Sequence, residues 1–164
     1  MPVPANPVSP LTARSLAVAF ADVRLDLPVP FVFDTITSTN DEALAVASSG
    51  VPEWTVVVAD RQTAGRGRLS RSWETPAGRG LLFSVVLRPE PSWPTACLGW
   101  IPLIAGLSIR QATSAFGVAS ELNWPNDVVI DAQAHDGSPW PRKLAGILAE
   151  RRGDAVVVGD GINV

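Results

Sequence analysis

Two apolar runs late in the sequence, residues 144–150 and 155–159, are separated only by the turn at 151–154. Runs this short and this apolar bury themselves as neighbouring strands, which commits the chain to a β-sheet with an antiparallel pair in its core. The preceding sequence alternates strand and helix signals. Residues 31–34 form a short strand candidate. Thr39 and Glu42 have capping-box spacing, the threonine oxygen placed to accept an amide and the glutamate to reach back; the helix they open runs to about Ser49 and stops at Gly50. Residues 54–60 are strand-like, 81–88 are a second apolar strand, and 98–116 read as a long, largely buried helix stopped by Gly117. Residues 121–124 and 127–131 read as strands interrupted by Pro125, followed by a polar loop holding Pro139 and Pro141. The expected class is α/β (α+β), a mixed β-sheet with helices packed on one face. Residues 1–30, with four prolines before Leu11, read as an irregular lead-in to a domain over 31–164.

Composition excludes several kinds of function. With a net charge of -3 and 18% charged residues, the overall balance calls for neither a nucleic-acid partner nor an anionic membrane. The start has no basic stretch leading into an apolar run, and no run reaches about 18 apolar residues, so a cytoplasmic protein without a membrane segment is expected. A single cysteine, Cys97, and a single histidine, His135, rule out an internal disulfide and leave no material for a Cys/His zinc site. Of the 13 basic residues only Lys143 is a lysine, which singles out that ammonium group.

Three segments carry chemistry. The loop from Gln62 to Trp73 places Arg66, Arg68 and Arg71 close together, and Gly65 and Gly67 let the backbone approach a ligand. Spaced guanidinium groups suit phosphate or carboxylate oxygens, although a solvated basic loop has the same composition. The loop is not a Walker sequence, and no wider basic face supports a nucleic-acid contact. Trp124-Pro125-Asn126-Asp127 sets two polar side chains beside a rigid bend, suited to phosphates or a metal ion, or simply to a turn. Lys143-Leu144-Ala145-Gly146-Ile147-Leu148 joins the lone lysine to an apolar run in which Gly146 leaves room for close packing.

Together with Ser38-Thr39-Asn40 and Gly161-Ile162-Asn163, these segments resemble, in order and spacing, the biotin protein ligase family over about residues 31–164. The resemblance implies a class II synthetase-like biotin/lipoate ligase catalytic domain. The implied enzyme activates biotin with ATP to biotinyl-5'-AMP and passes it to a lysine of a biotin carboxyl carrier protein. It implies that Ser38, Thr39, Asn40 and Gln62 meet the ureido ring of biotin. Arg66, Gly67 and Arg68 would lie in the loop over biotin and adenylate, and Lys143 and Gly146 at the biotin carboxylate and α-phosphate. Trp73 would lie near the adenine, and Asn126 and Asp127 near the phosphates, with Asp127 at a magnesium ion. Arg66, Arg68 and Lys143 would be catalytic. The resemblance leaves two alternatives: a lipoate ligase or lipoyl transferase, and a protein that binds biotin or its adenylate without transferring it.

The sequence departs from the family pattern in four ways. Asn123 stands where lysine is usual, Ser70 where glycine is common, and Asp160 in place of an apolar residue. Ser70 is strained if that position needs positive φ, and a buried Asp160 is costly unless paired. The fourth is length: the end at Val164 is expected to be a truncation of the catalytic domain. The stretch ahead of Ser38 is too short for a helix-turn-helix module, so a ligase without a DNA-binding domain is expected.

Overall fold

The computed structural model describes residues 13–22, 26–76, 78–133 and 139–163. The proline-rich start and the polar loop around His135 lie outside the described residues. The described part of the lead-in is not irregular: Ala13–Asp22 is a helix, α1. Four alanines, a leucine and an arginine, with no glycine or proline, make that segment a good helix former, and the prolines of the neighbouring sequence concealed it.

Seven strands form one mixed sheet. In chain order they are β1 (Phe31–Ile36), β2 (Val56–Gln62), β5 (Gly80–Leu87), β6 (Glu121–Asn123), β7 (Asp127–Gln133), β8 (Pro139–Arg152) and β9 (Ala155–Asn163). Across the sheet they run β1-β2-β5-β9-β8-β7-β6, with a parallel pairing between β1 and β2 and antiparallel pairings elsewhere. The β8–β9 hairpin turns on Gly153, whose φ is 61°, and places the two late apolar runs side by side as expected. Two expected boundaries move. Trp54 lies before β2 with a φ of 66°, and Pro139 and Pro141 belong to β8. The pairing of β8 with β9 begins only at Ala145–Ile162, so the proline end of β8 is an edge on that side, where a missing N–H is tolerated.

The helices divide between the two faces of the sheet, which corrects the expected one-sided arrangement. Helix α2 (Thr39–Ser48) buries Ala43, Leu44 and Ala47 against Val57, Val86, Ala155 and Val157. Helix α3 (Ile101–Ala115), entered through a 3-10 turn at Thr95–Trp100, buries Ile101 and Ile109 against Val128, Ala145, Ile147, Val156 and Val158. Successive residues of a strand face opposite sides, so Val157 and Val158 require cover on both. That is why β9 is uninterruptedly apolar over residues 155–158. Helix α3 is half covered rather than largely buried: Ile104 and Leu107 are exposed.

Helix α2 is fixed at both ends. Its N-cap is Ser38 rather than Thr39: Ser38 Oγ accepts the Asp41 amide at 3.4 Å. This leaves the Thr39 hydroxyl free for a tertiary contact. At the other end Arg88 donates to the carbonyls of Ala47 and Val51, both at 2.9 Å, and pairs with Asp154 at 2.7 Å.

Above the sheet, β3 (Gly65–Arg66) and β4 (Ser72–Trp73) form a small hairpin. Its tip puts Leu69 at φ 57° and Ser70 at φ 59°, closed by the Arg71 amide on the Arg68 carbonyl at 3.2 Å. Two adjacent side-chain-bearing residues in the left-handed region are strained, and a glycine at position 70 would relieve one of them. The bend preceding β7 contains a cis Trp124–Pro125 peptide.

Asp160 lies on the α3 face, between Val158 and Ile162 and across from Phe83 and Ile147. It is 7% exposed, its Oδ1 has no hydrogen-bond partner, and burial raises its pKa from 3.8 to about 7. The folded state therefore favours the protonated acid. Stability is fully present below the unfolded-state pKa, falls as pH rises from about 4 to about 7, and is level above that. At roughly 1.4 kcal/mol per pKa unit the loss is on the order of 4 kcal/mol. Asp160→Val should raise urea-unfolding stability at pH 8 by a few kcal/mol and by much less at pH 4. An equal gain at both pH values would exclude the carboxylate charge as the cause. Ser70→Gly should add about 1 kcal/mol at any pH, read as a higher urea midpoint at unchanged m-value.

Candidate active site

The residues singled out from four distant segments line one cavity of about 120 Å³ on the α2 face of the sheet. Ser38, Thr39, Asn40 and Gln62 stand at one end, Asn126, Asp127 and Lys143 at the other. Arg66, Gly67 and Arg68 roof it from the β3–β4 hairpin, while Trp73 of the same hairpin lies on its floor, to which Gly146 belongs. Sequence reasoning did not assign Gly159 and Gly161 to the floor, although Gly161 belongs to a motif already noted.

The floor works because it has no side chains. A Cβ on Gly159 would collide with the Asn40 amide, and one on Gly161 with the Trp73 indole. At Gly146 it would stand 2.8 Å from both Trp73 Cζ3 and Lys143 Cε. The indole thus lies directly on β8 and β9, with its Nε1 buried and unpartnered.

A β-bulge brings Lys143 to this face. Three residues from Gly146, regular alternation would send Lys143 to the opposite side, but the register slips where Val128 pairs with Ala145 and Val129 with Lys143. Leu144 and Ala145 therefore both pack toward α3, while Lys143 turns back over the floor. Its Nζ lies 2.8 Å from Asp127 Oδ1 and 5.2 Å from the centroid of Trp73. Asn163 donates to the Lys143 carbonyl at 3.0 Å and fixes its backbone.

At the polar end the Thr39 amide and hydroxyl donate to Gln62 Oε1 at 2.7 and 3.1 Å. Ser84, fully buried on β5, has one proton for two acceptors, Thr39 Oγ1 at 2.8 Å and Asn40 Oδ1 at 2.6 Å. The Asn40 amide nitrogen donates to the Leu148 carbonyl at 3.1 Å and to Glu150 Oε2 at 2.8 Å. Asn40 is thus engaged on both sides by the protein. Asn126 is similarly engaged: its side chain donates to the Ile147 carbonyl at 2.8 Å and accepts from Arg68 at 3.2 Å.

The cations are not equivalent. Arg66 is held by Asp41 at 2.6 Å and by both carboxylate oxygens of Glu150, at 3.0 and 2.8 Å. Among the described residues Arg68 meets a neutral amide and Lys143 one carboxylate. Among the described residues no group of three or more His, Cys, Asp or Glu side chains is arranged to hold a metal ion, and no helix is long and apolar enough to cross a membrane.

Comparison with known proteins places this geometry. The chain is 36% identical over 137 residues to the bifunctional ligase/repressor BirA of Bacillus subtilis, a match covering 80% of the chain and 39% of that relative. It is 39% identical over 136 residues to the biotin--[acetyl-CoA-carboxylase] ligase of Mycobacterium tuberculosis, covering 77% of the chain and 46% of the relative. The fold is similar to the biotin protein ligase from Aquifex aeolicus in complex with biotin and ATP, with TM-score 0.67 and 35% identity over 82% of this chain and 52% of that one. The chain spans less than half the length of these curated relatives. The profile of the biotin/lipoate A/B protein ligase family matches residues 32–164, and the chain belongs to that family.

Proposed function

We propose that the cavity is the adenylation site of a biotin protein ligase, which joins biotin to the α-phosphate of ATP and then passes it to a lysine of a biotin carboxyl carrier protein. The observation that carries this reading is the polarity of the cavity. A hydroxyl-and-amide end at Ser38, Thr39 and Gln62 and a cationic end at Lys143 and Arg68 are joined by a glycine floor. Biotin has the matching order: a ureido ring with both donors and acceptors, an apolar middle, and a carboxylate. The related ligase of Leishmania major, 27% identical, has been solved with biotinyl-5-AMP. A lipoyl group, the alternative the family offers, brings a dithiolane that makes no strong hydrogen bonds; it would leave the polar end unmatched at a cost of about 1–3 kcal/mol per group.

The biotin carboxylate is ionised at neutral pH, so its attack on the α-phosphorus needs no general base. A carboxylate C–O–P bond forms as the bond to pyrophosphate breaks. The barrier is the approach of one anion to another, and Lys143 and Arg68 lower it by charge and position. Trp73 forms a wall that excludes water from the mixed anhydride. The neutral amine of the carrier lysine then attacks the acyl carbon and releases AMP. Magnesium suits this donor set only as an ion shared with the nucleotide, since such ions take one or two carboxylates and complete their shell with phosphate and water. Asp127, with Asn126 beside it, would hold it, and the bound ion would offset charge on the departing pyrophosphate. A cytoplasmic setting, where ATP is at hand, belongs to the same reading.

Biotin-dependent exchange of labelled pyrophosphate into ATP tests the proposal. The folded protein should catalyse exchange with biotin and not with lipoate. Lys143→Ala, folded by circular dichroism, should be slower by about 100-fold, the usual loss on removing one group that stabilises transition-state charge. Biotin binding without exchange would refute adenylation by this chain, and exchange driven by lipoate would reverse the choice of substrate.

A further inference from the structure

Ser84 is a hydroxyl in the middle of an apolar strand, β5, and it is fully buried. It lies behind Thr39 and Asn40, outside the lining of the cavity, so any effect it has on a ligand passes through those two residues. Across the sheet Gly159 pairs with Ser84 on one side and with Leu148 on the other. The Asn40 carboxamide lies over Gly159, in the space a Cβ would fill, and bridges these two neighbours. Its nitrogen donates to the Leu148 carbonyl at 3.1 Å and to Glu150 at 2.8 Å, which fixes the direction of the amide. Asn40 Oδ1 therefore faces β5, where the Ser84 hydroxyl donates to it at 2.6 Å.

Gln62 Oε1 has two lone pairs, and Thr39 fills both, one with its amide at 2.7 Å and one with its hydroxyl at 3.1 Å. In that arrangement the oxygen has no capacity left for a ligand N–H. The Thr39 hydroxyl has a second acceptor within reach, Ser84 Oγ at 2.8 Å, and this is the shorter of the two contacts. Ser84 can take that proton because its own goes to Asn40 Oδ1, a carbonyl oxygen that has none to return. Turning one hydroxyl proton from Gln62 to Ser84 opens an acceptor on Gln62 while every buried oxygen keeps a partner.

We propose that Ser84 is a positioning residue for the polar end of the cavity: it receives the Thr39 proton when a ligand arrives and so releases Gln62 Oε1 to accept a ligand N–H. The ligand chemistry this selects is a urea or amide, in which an N–H stands beside a carbonyl. In the adenylation site proposed above that group is the ureido ring of biotin. The effect on biotin rests on that reading; the anchoring of Asn40 by Ser84 does not.

Ser84→Ala leaves the Thr39 proton on Gln62. Biotin affinity, titrated by calorimetry without ATP, should fall about tenfold, the scale of one hydrogen bond. In pyrophosphate exchange the KM for biotin should rise by a similar factor with kcat within about twofold, since Ser84 touches neither the carboxylate nor the phosphates. Thr39→Val removes the competing hydroxyl and leaves Gln62 Oε1 open, so adding Ser84→Ala to it should change biotin affinity by less than about twofold. Unchanged affinity in Ser84→Ala, a loss of the same size in the Thr39→Val background, or a fall in kcat at unchanged KM would overturn the proposal. Where Ser84→Ala does not fold by circular dichroism, Ser84→Cys, whose thiol is a weak donor and acceptor, takes its place with the same direction of change. In the ligand-free protein the Asn40 side-chain NH2 protons, followed by NMR, should exchange with water about tenfold faster in Ser84→Ala, and unchanged exchange would overturn the anchoring. A wild-type chain that binds no biotin would defeat the ligase reading and with it the release of Gln62 for biotin, while faster NH2 exchange would still establish Ser84 as the anchor of Asn40.

Discussion

Strand β9 determines where everything else lies. Over residues 155–158 it carries side chains buried on both faces, so the helices must divide between the two sides. From Gly159 to Gly161 the same strand gives up its side chains on the α2 face, and Asn40 and Trp73 approach the backbone as a Cβ would not allow. Core and cavity are thus consecutive parts of one strand, which gives the floor the rigidity of the core. The residue between the glycines points the other way. Asp160 brings a carboxyl group into the packing under α3, where a neighbour such as Val158 would be at no disadvantage.

What the sequence reveals of this arrangement follows from how local each cause is. The β8–β9 hairpin was legible because apolar runs and a short turn are adjacent in sequence. That Arg66, Arg68, Lys143 and their glycines would gather was legible because such residues are unusual in company; Ser38, Thr39, Asn40, Gln62 and Trp73, which line the same cavity, were pointed to only by the family resemblance. The N-cap was read one residue late because Ser38 and Thr39 both carry a hydroxyl at the helix entrance, and only the pull of Gln62 on Thr39 decides between them. The distribution of the helices was present in the sequence as the unbroken valine run of β9, a signature of two-sided burial. The bulge at Lys143 left no signal, since it depends on the register against β7. Nor did Glu150, which in sequence is an acid at the end of an apolar strand and reads as solvated.

Charge in the cavity follows a consistent pattern. The protein supplies acidic partners to Arg66 and Lys143, through Asp41, Glu150 and Asp127, and a neutral amide to Arg68. A cluster of unpaired cations would repel itself and hold the hairpin away from the sheet, so some neutralisation is needed to form the roof at all. Graded neutralisation then separates the tasks. A guanidinium held at three oxygens has more contacts to give up before it can meet a second anion. A lysine with one partner and a π face exchanges one oxygen for another at little cost.

The Lys143–Asp127 pair therefore has a different status from the Arg66 fork. Both join distant parts of the chain, but Lys143 ends in a flexible stem held by a single contact, and its backbone is fixed independently by the bulge and by Asn163. Its side chain is directed over the floor by strand geometry and not by the ion pair, so Asp127 can be drawn toward a ligand without the lysine leaving the cavity. Arg66 belongs to a two-residue strand tied to the end of β1 just upstream, through the Thr63 and Ala64 amides on the Ile36 and Thr37 carbonyls, and Trp73 of the same hairpin lies on β8 and β9. The cations over this site therefore differ in how many oxygens hold each of them, and not in whether the backbone is held.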